Sequence, residues 1–202
     1  MTSLTSPTHP DGPTANPARR RRPARERLVS TADQLLYSTG VATTAVDRII
    51  EEAGIARGTF YANFRDKDEL VDEYLRQRHR RTMEALTAIE EQSNNLGEQL
   101  DHLFDYLAAQ SKEEHFRGCP FVLAAAENPG DGAVGPSWAR YHKSQVNDVF
   151  RRIFRDAGFS DTASAAEQLS ILYDGSLVHG ALRPDCTATD HARSIARVLF
   201  GR

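Results

Sequence analysis

Residues 57–64, RGTFYANF, together with Lys67, gather the side chains of this chain best suited to meeting a polyanion that has readable edges. Arg57 can pair with a guanine edge or a phosphate, and Tyr61 offers a ring edge to a thymine methyl and a hydroxyl to a phosphate. Lys67, and Thr44 with the free amides of a helix start, are placed for the phosphate backbone. At about 100° per residue of helix, Phe60 and Phe64 fall on one side, and Gly58, Tyr61 and Ala62 on another. That second side is small except for Tyr61, which suits a helix pressing into a groove about 12 Å wide. Gly58 costs a helix about 1 kcal/mol relative to alanine, and close approach of a partner to the backbone is a reason to keep it.

Other chemistries are poorly supported. Ser176 and His179 in DGSLVHG are the best nucleophile and base on offer. The pattern is not G-x-S-x-G, no strand precedes it, and a three-residue helical spacing only makes the two side chains neighbours. Histidines 79, 102, 115, 142, 179 and 191 show no paired metal spacing, and Cys119 and Cys186 fit none either. We therefore expect no enzyme, no cofactor and no metal, and two reduced thiols in a reducing compartment. Cys119, in RGCPF, stands at a helix start where a thiolate is favoured. A lone cysteine more often serves as a small hydrophobe.

The elements that must position these residues all read as helix. Residues 1–23 carry five prolines, a run of four arginines and almost nothing apolar, which predicts a disordered basic tail. Its arginines either enter a minor groove or rest on phosphates, or simply supply solvating charge. Leu28, Ala32, Leu35 and Leu36 then share one helix face that ends at Gly40. Thr44 is the expected N-cap of a short second helix carrying Val46, Ile49, Ile50 and Ala53, closed by Gly54. The third helix spans about Arg57 to Phe64, and a long fourth runs from Lys67 to about residue 91. Further amphipathic segments start near Leu96, Pro120, Ser137, Thr162 and Asp190. No segment alternates at period two. The expected fold is all-α with about nine helices, divided into a helix-turn-helix DNA-binding domain at 24–82 and an effector-binding and dimerisation domain at 83–202.

Charge supports that division. Through Arg81 there are fourteen Lys and Arg against eleven Asp and Glu, while the remainder carries eleven against seventeen. A basic N-terminal third on an acidic body fits one end meeting a polyanion. No apolar run approaches the roughly 18–20 residues needed to span a bilayer, and the N-terminus lacks the apolar stretch of a secretory signal, so a cytoplasmic protein is expected.

Thr44, Ile49, AGI at 53–55, GTFY at 58–61, Phe64 and KDEL at 67–70 together resemble the DNA-binding region of the TetR family of bacterial transcriptional regulators. The resemblance covers about residues 25–75. It implies DNA contacts by Thr44, Arg57, Gly58, Thr59, Tyr61, Asn63 and Lys67, and a homodimer that binds a palindromic double-stranded operator and is released by a small-molecule effector. The family often has serine where Ala56 stands, so the third helix loses a capping oxygen. Ala62 and Asn63 replace bulkier residues, so base preference does not carry over. A constitutive or partner-controlled DNA-binding regulator without an effector is the alternative.

Beyond about residue 82 the resemblance is architectural. Ala166, Ser176, Gly180 and Ala181 keep one flank of a helix low beside Leu169, Leu172, Tyr173 and Leu177. That helix and the one from Ser137 to Ala157 are the candidate dimer interface, unless the flank is buried within one subunit. Tyr106, Phe121, Trp138, Tyr141 and His142 are the candidate ligand contacts, each also suited to filling a core.

Overall fold

A computed structural model of the chain describes residues 17–130, 132–183 and 185–201, with side chains from residue 23. Among them are nine helices and no strand. They are α1 (Pro17–Thr39), α2 (Val46–Glu52), α3 (Arg57–Asn63), α4 (Lys67–Gln92), α5 (Leu96–Ser111), α6 (Pro120–Glu127), α7 (Val134–Asp156), α8 (Thr162–Leu182) and α9 (Thr187–Phe200). No helix among the described residues is long and apolar enough to cross a membrane.

Helix α1 begins earlier than the sequence predicts. Pro17 occupies a first-turn position where its missing N–H costs nothing, and the strong helix formers that follow carry the helix through Pro23. The backbone of residues 17–23 is therefore helical rather than part of a tail, while residues 1–16 lie outside the described residues. Helix α2 also starts differently. Its N-cap is Ala45, which has no capping oxygen, and Thr44 precedes the helix.

Two glycines set the chain's course around the short helices. Gly40 leaves α1 with φ +108°, and Gly54 follows α2 with φ +61°. At Gly54 the amide donates to the Glu51 carbonyl and that of Ile55 to the Ile50 carbonyl, closing the end of α2. The turn to α3 is thus fixed by backbone geometry. Helix α4 is capped by Asp66, whose carboxylate accepts from the Glu69 amide, while Glu69 reaches back to the Arg65 amide.

Leu28, Ala32 and Leu36 of α1, Ile49 of α2, Phe60 and Phe64 around α3, and Leu70 and Tyr74 of α4 belong to the buried core and hold the first three helices to the start of the fourth. Helix α4 continues onto α7, which packs in turn on α6 and α8, and α9 closes against α5 and α8. Arg25 and Glu73 join α1 to α4 at 2.7 Å, and Arg152 grips Glu90 from α7 with two hydrogen bonds of 2.8 Å. One helix therefore belongs to both ends of the molecule.

Candidate nucleic-acid interface and sensor body

Helix α3 divides as its periodicity predicts. Phe60 and Phe64 are fully buried with ring centroids 6.0 Å apart, and Tyr61 stands out at 53 % exposure with its ring edge-on to Phe60 at 5.1 Å. Arg57, Gly58 and Ala62 are exposed beside it, and Thr59 and Asn63 are half-buried. A Cβ placed on Gly58 would meet nothing within 4 Å. No packing among the described residues requires that glycine. The N-cap of α3 is Ala56, which makes no side-chain hydrogen bond.

Two polar side chains of this surface, Arg57 and Asn63, already have partners within the chain. Arg57 Nη2 donates to Asp47 of α2 at 2.6 Å, with both side chains well exposed. The pair ties the two short helices together and aims the guanidinium. Asn63 Nδ2 donates to the Thr59 carbonyl at 2.7 Å. Lys67 is the first residue of α4 and half-buried. The surface formed by α3 and the start of α4 thus brings together six of the seven expected contact residues.

Thr44 is not among them. It is 0 % exposed, and its hydroxyl donates to the Gly40 carbonyl at 2.6 Å. The neighbouring Thr43 is the exposed threonine, with its hydroxyl on the Thr39 carbonyl at 2.7 Å. Thr44 closes the turn between α1 and α2. A pair of adjacent threonines carries no signal of which one faces inward, and the misplaced cap turned the choice the wrong way.

Four of the five expected ligand residues meet in one ring cluster. Phe121 of α6 stacks on His142 of α7 at 3.7 Å, and Trp138 and Tyr141 of α7 lie 5.6 Å apart. Nothing in the spacing of residues singles out their common neighbour, His79 of α4, whose ring lies 5.1 Å from Tyr141 and 5.6 Å from Trp138. His79 Nδ1 and His142 Nδ1 are 3.0 Å apart, so one ring donates and the other accepts. Burial, with Lys143 and His79 nearby, pushes His142 down to about 3, and burial lowers His79 as well. Trp138 Nε1 donates to Asp72 of α4 at 2.8 Å. These rings fill the seam between α4, α6 and α7. Tyr106 lies apart from them, on the wall of a cavity of about 340 Å³ where α1, α4, α5 and the α5–α6 connection meet.

The low flank of α8 turns inward. Ala166, Leu169, Tyr173, Ser176, Leu177 and Gly180 are all buried within the chain. A Cβ on Gly180 would stand 2.9 Å from the Ser111 Cβ, so its smallness serves the approach of α5 to α8. The Ser176 hydroxyl donates to the Leu172 carbonyl of its own helix at 2.8 Å. On α8 and α9 the exposed apolar side chains are instead Ile171, Val178, Leu182, Ile195, Val198 and Leu199. The exposed side of α7 carries Arg140, Tyr141, Ser144, Asp148 and Arg151. Helix α9, not α7, flanks α8 on the apolar surface.

Comparison with known proteins agrees with this geometry. Residues 28–74 match the profile of bacterial regulatory proteins of the tetR family. An uncharacterized HTH-type transcriptional regulator of Lactococcus lactis subsp. lactis is 24% identical over 104 residues, which cover 49% of this chain and 52% of that protein. The match thus spans about half the length of this curated relative. Among solved structures, a TetR-family transcriptional regulator from Streptomyces coelicolor is 27% identical with a TM-score of 0.78, over 86% of this chain and 95% of its own. A TetR transcriptional regulator from Chloroflexus aurantiacus shares the fold, with a TM-score of 0.78 at 18% identity over 89% of this chain and 95% of that one.

Proposed function

The chain belongs to the TetR family of bacterial regulatory proteins, and from that premise we propose that it is a DNA-binding repressor, acting as a homodimer on a palindromic operator and released by a small molecule. The observation that carries the reading is α3, where a buried Phe60 and Phe64 hold down a helix whose other side presents Tyr61 and a glycine that no packing among the described residues explains. Such a helix enters a major groove with its backbone close to the bases. Arg57, Gly58, Thr59, Tyr61, Asn63 and Lys67 form the reading surface, with Arg57 exchanging Asp47 for a guanine edge or a phosphate.

The second copy covers the apolar face of α8 and α9. A two-fold pair of readers matches an inverted repeat. Ligand binding in the body changes the setting of α4, which both ends of the molecule share, so that the two readers no longer fit one operator.

Selection of bound DNA from a random pool by the purified protein tests the reading. Enrichment of an inverted repeat, with half-sites about one helical turn or slightly more apart, is expected. No enrichment refutes it.

A further inference from the structure

We propose that the cavity between Tyr37 of α1, Arg78 and Arg81 of α4, Tyr106 of α5, and Glu113 and Phe116 of the α5–α6 connection is the effector site, and that its ligand is an aromatic carboxylate. The inference rests on the ligand-released reading above and names the ligand's chemistry and seat. The cavity measures about 340 Å³. At about 30 Å³ per water in the liquid that is room for some eleven waters, the scale of a one- or two-ring solute. Tyr37, Tyr106 and Phe116 contribute aromatic rings to its lining. Burial raises the Tyr106 hydroxyl above the usual phenol range, which keeps it a neutral donor.

The charges select an anion. Arg78 donates from Nε and Nη2 to Asp33 of α1 at 2.6 and 3.1 Å, with its guanidinium 4.4 Å from the centroid of the Tyr37 ring. Arg81 Nη1 reaches the same carboxylate at 3.3 Å. Two guanidinium groups thus share one carboxylate beside the cavity. Arg117, whose Nη1 donates to the Tyr37 carbonyl at 2.8 Å, and Glu113 add one charge of each sign. One positive charge is left over. A ligand carboxylate completes the pairing by taking the remaining donors of Arg81 and competing with Asp33 for Arg78.

The position of Asp33 gives this competition a consequence. The Asp33–Arg78 pair fastens α1, which carries the reader, to α4. Tyr37 fastens the same end of α1 to the α5–α6 connection, donating to the Gly118 carbonyl and accepting from the Arg117 amide, both at 2.9 Å. A ligand lodged between these contacts binds the loosened arrangement better than the fastened one, and only such a difference shifts an equilibrium. Operator and ligand therefore weaken each other by the same factor.

Calorimetric titration of the full chain with 2-naphthoate, 2-naphthamide and cyclohexanecarboxylate tests the assignment. One 2-naphthoate per chain is expected, with the neutral amide and the alicyclic acid each weaker by about tenfold or more. Arg81→Gln, at a well-exposed position whose partner Asp33 is still held by Arg78, should remove the preference for naphthoate over its amide. Absence of naphthoate binding, or binding indifferent to Arg81→Gln, overturns the site. Binding that leaves affinity for the selected operator unchanged overturns its role as effector site. If naphthoate does not bind while a compound of another class releases the operator, this inference fails and the ligand-released repressor stands. If no operator is selected, the proposed function fails, and the titration still decides whether the site exists.

Discussion

Replacing Thr44 by valine separates a threonine that holds the reader's shape from one that touches DNA. The side chain is fully buried, and its hydroxyl donates to the Gly40 carbonyl at 2.6 Å and lies 3.5 Å from that of Leu35. Valine keeps the shape and deletes the donor. The Gly40 carbonyl still accepts from the Thr44 amide at 3.2 Å, so it is not orphaned. The cost is then the net worth of one buried hydrogen bond, about 1 kcal/mol. For a chain of this size that lowers Tm by about 2–4 °C. Urea unfolding at fixed protomer concentration should show a lower midpoint with an unchanged slope. Affinity for the selected operator, measured at one salt concentration, should stay within about twofold. A tenfold loss of operator affinity with an unchanged unfolding midpoint would refute the burial argument and restore Thr44 to the DNA surface.

Tyr61→Ala should cost about 1 to 3 kcal/mol of operator binding and little stability, and Tyr61→Phe then separates ring from hydroxyl; a stability loss as large as the binding loss would make Tyr61 structural. Gly135→Ala places a Cβ 2.4 Å from the Ala124 carbonyl oxygen, so α7 must part from α6; unfolding should show a loss of about 1–3 kcal/mol, and unchanged stability would contradict the contact. Glu127→Ala removes the carboxylate that accepts from the Ala42 amide at 2.9 Å; hydrogen exchange at that amide should quicken about tenfold, and an unchanged rate counts against the contact. His142, held at about 3 in the folded chain against an ordinary 6.5, stays neutral where the unfolded chain takes up a proton. Stability should therefore fall by about 1.4 kcal/mol between pH 7.5 and pH 5.5, with His79 adding in the same direction, and His142→Phe should flatten that slope; an equal slope in the variant would exclude His142 as its source.

The helices and the two faces of α3 were legible because they are local. Leu28, Ala32 and Leu36 repeat at helical spacing, Gly40 and Gly54 end their helices, and Phe60 and Phe64 must share a side that Tyr61 does not. Thr44 was not legible, because moving a helix start by one residue rotates every later assignment by about 100°. Pro17 and Pro23 count toward a disordered tail by composition, yet the helix formers around Pro23 carry α1 back to Pro17. The small residues of α8 mark a close-approach surface in the sequence. What approaches them is α5 of the same chain, and a pattern along one helix cannot specify its partner. The ring residues stand out by type alone, whereas the cavity is lined from segments between Tyr37 and Pro120 that only the fold brings together.

Besides the Tyr37 contacts to the α5–α6 connection, two helices join reader and body, and the second gives the proposed cavity a route to DNA binding. Helix α4 is the first, bound to α1 through Glu73, Arg78 and Arg81 and to α7 through Asp72, His79 and Glu90. Helix α6 is the second. Its first residue, Pro120, lines the cavity, and its last, Glu127, accepts from the Ala42 amide in the turn between α1 and α2. Eight residues at 1.5 Å rise make α6 a rod of about 12 Å, too short to bend and packed along α7. On the proposed reading, a ligand that pushes on Pro120 shifts Glu127 against the turn that leads into α2, while its carboxylate loosens Asp33 from α4. Both effects act on the same three-helix reader. A ligand seated in the ring cluster would first have to part Phe121 from His142, giving up packing that the junction cavity leaves intact.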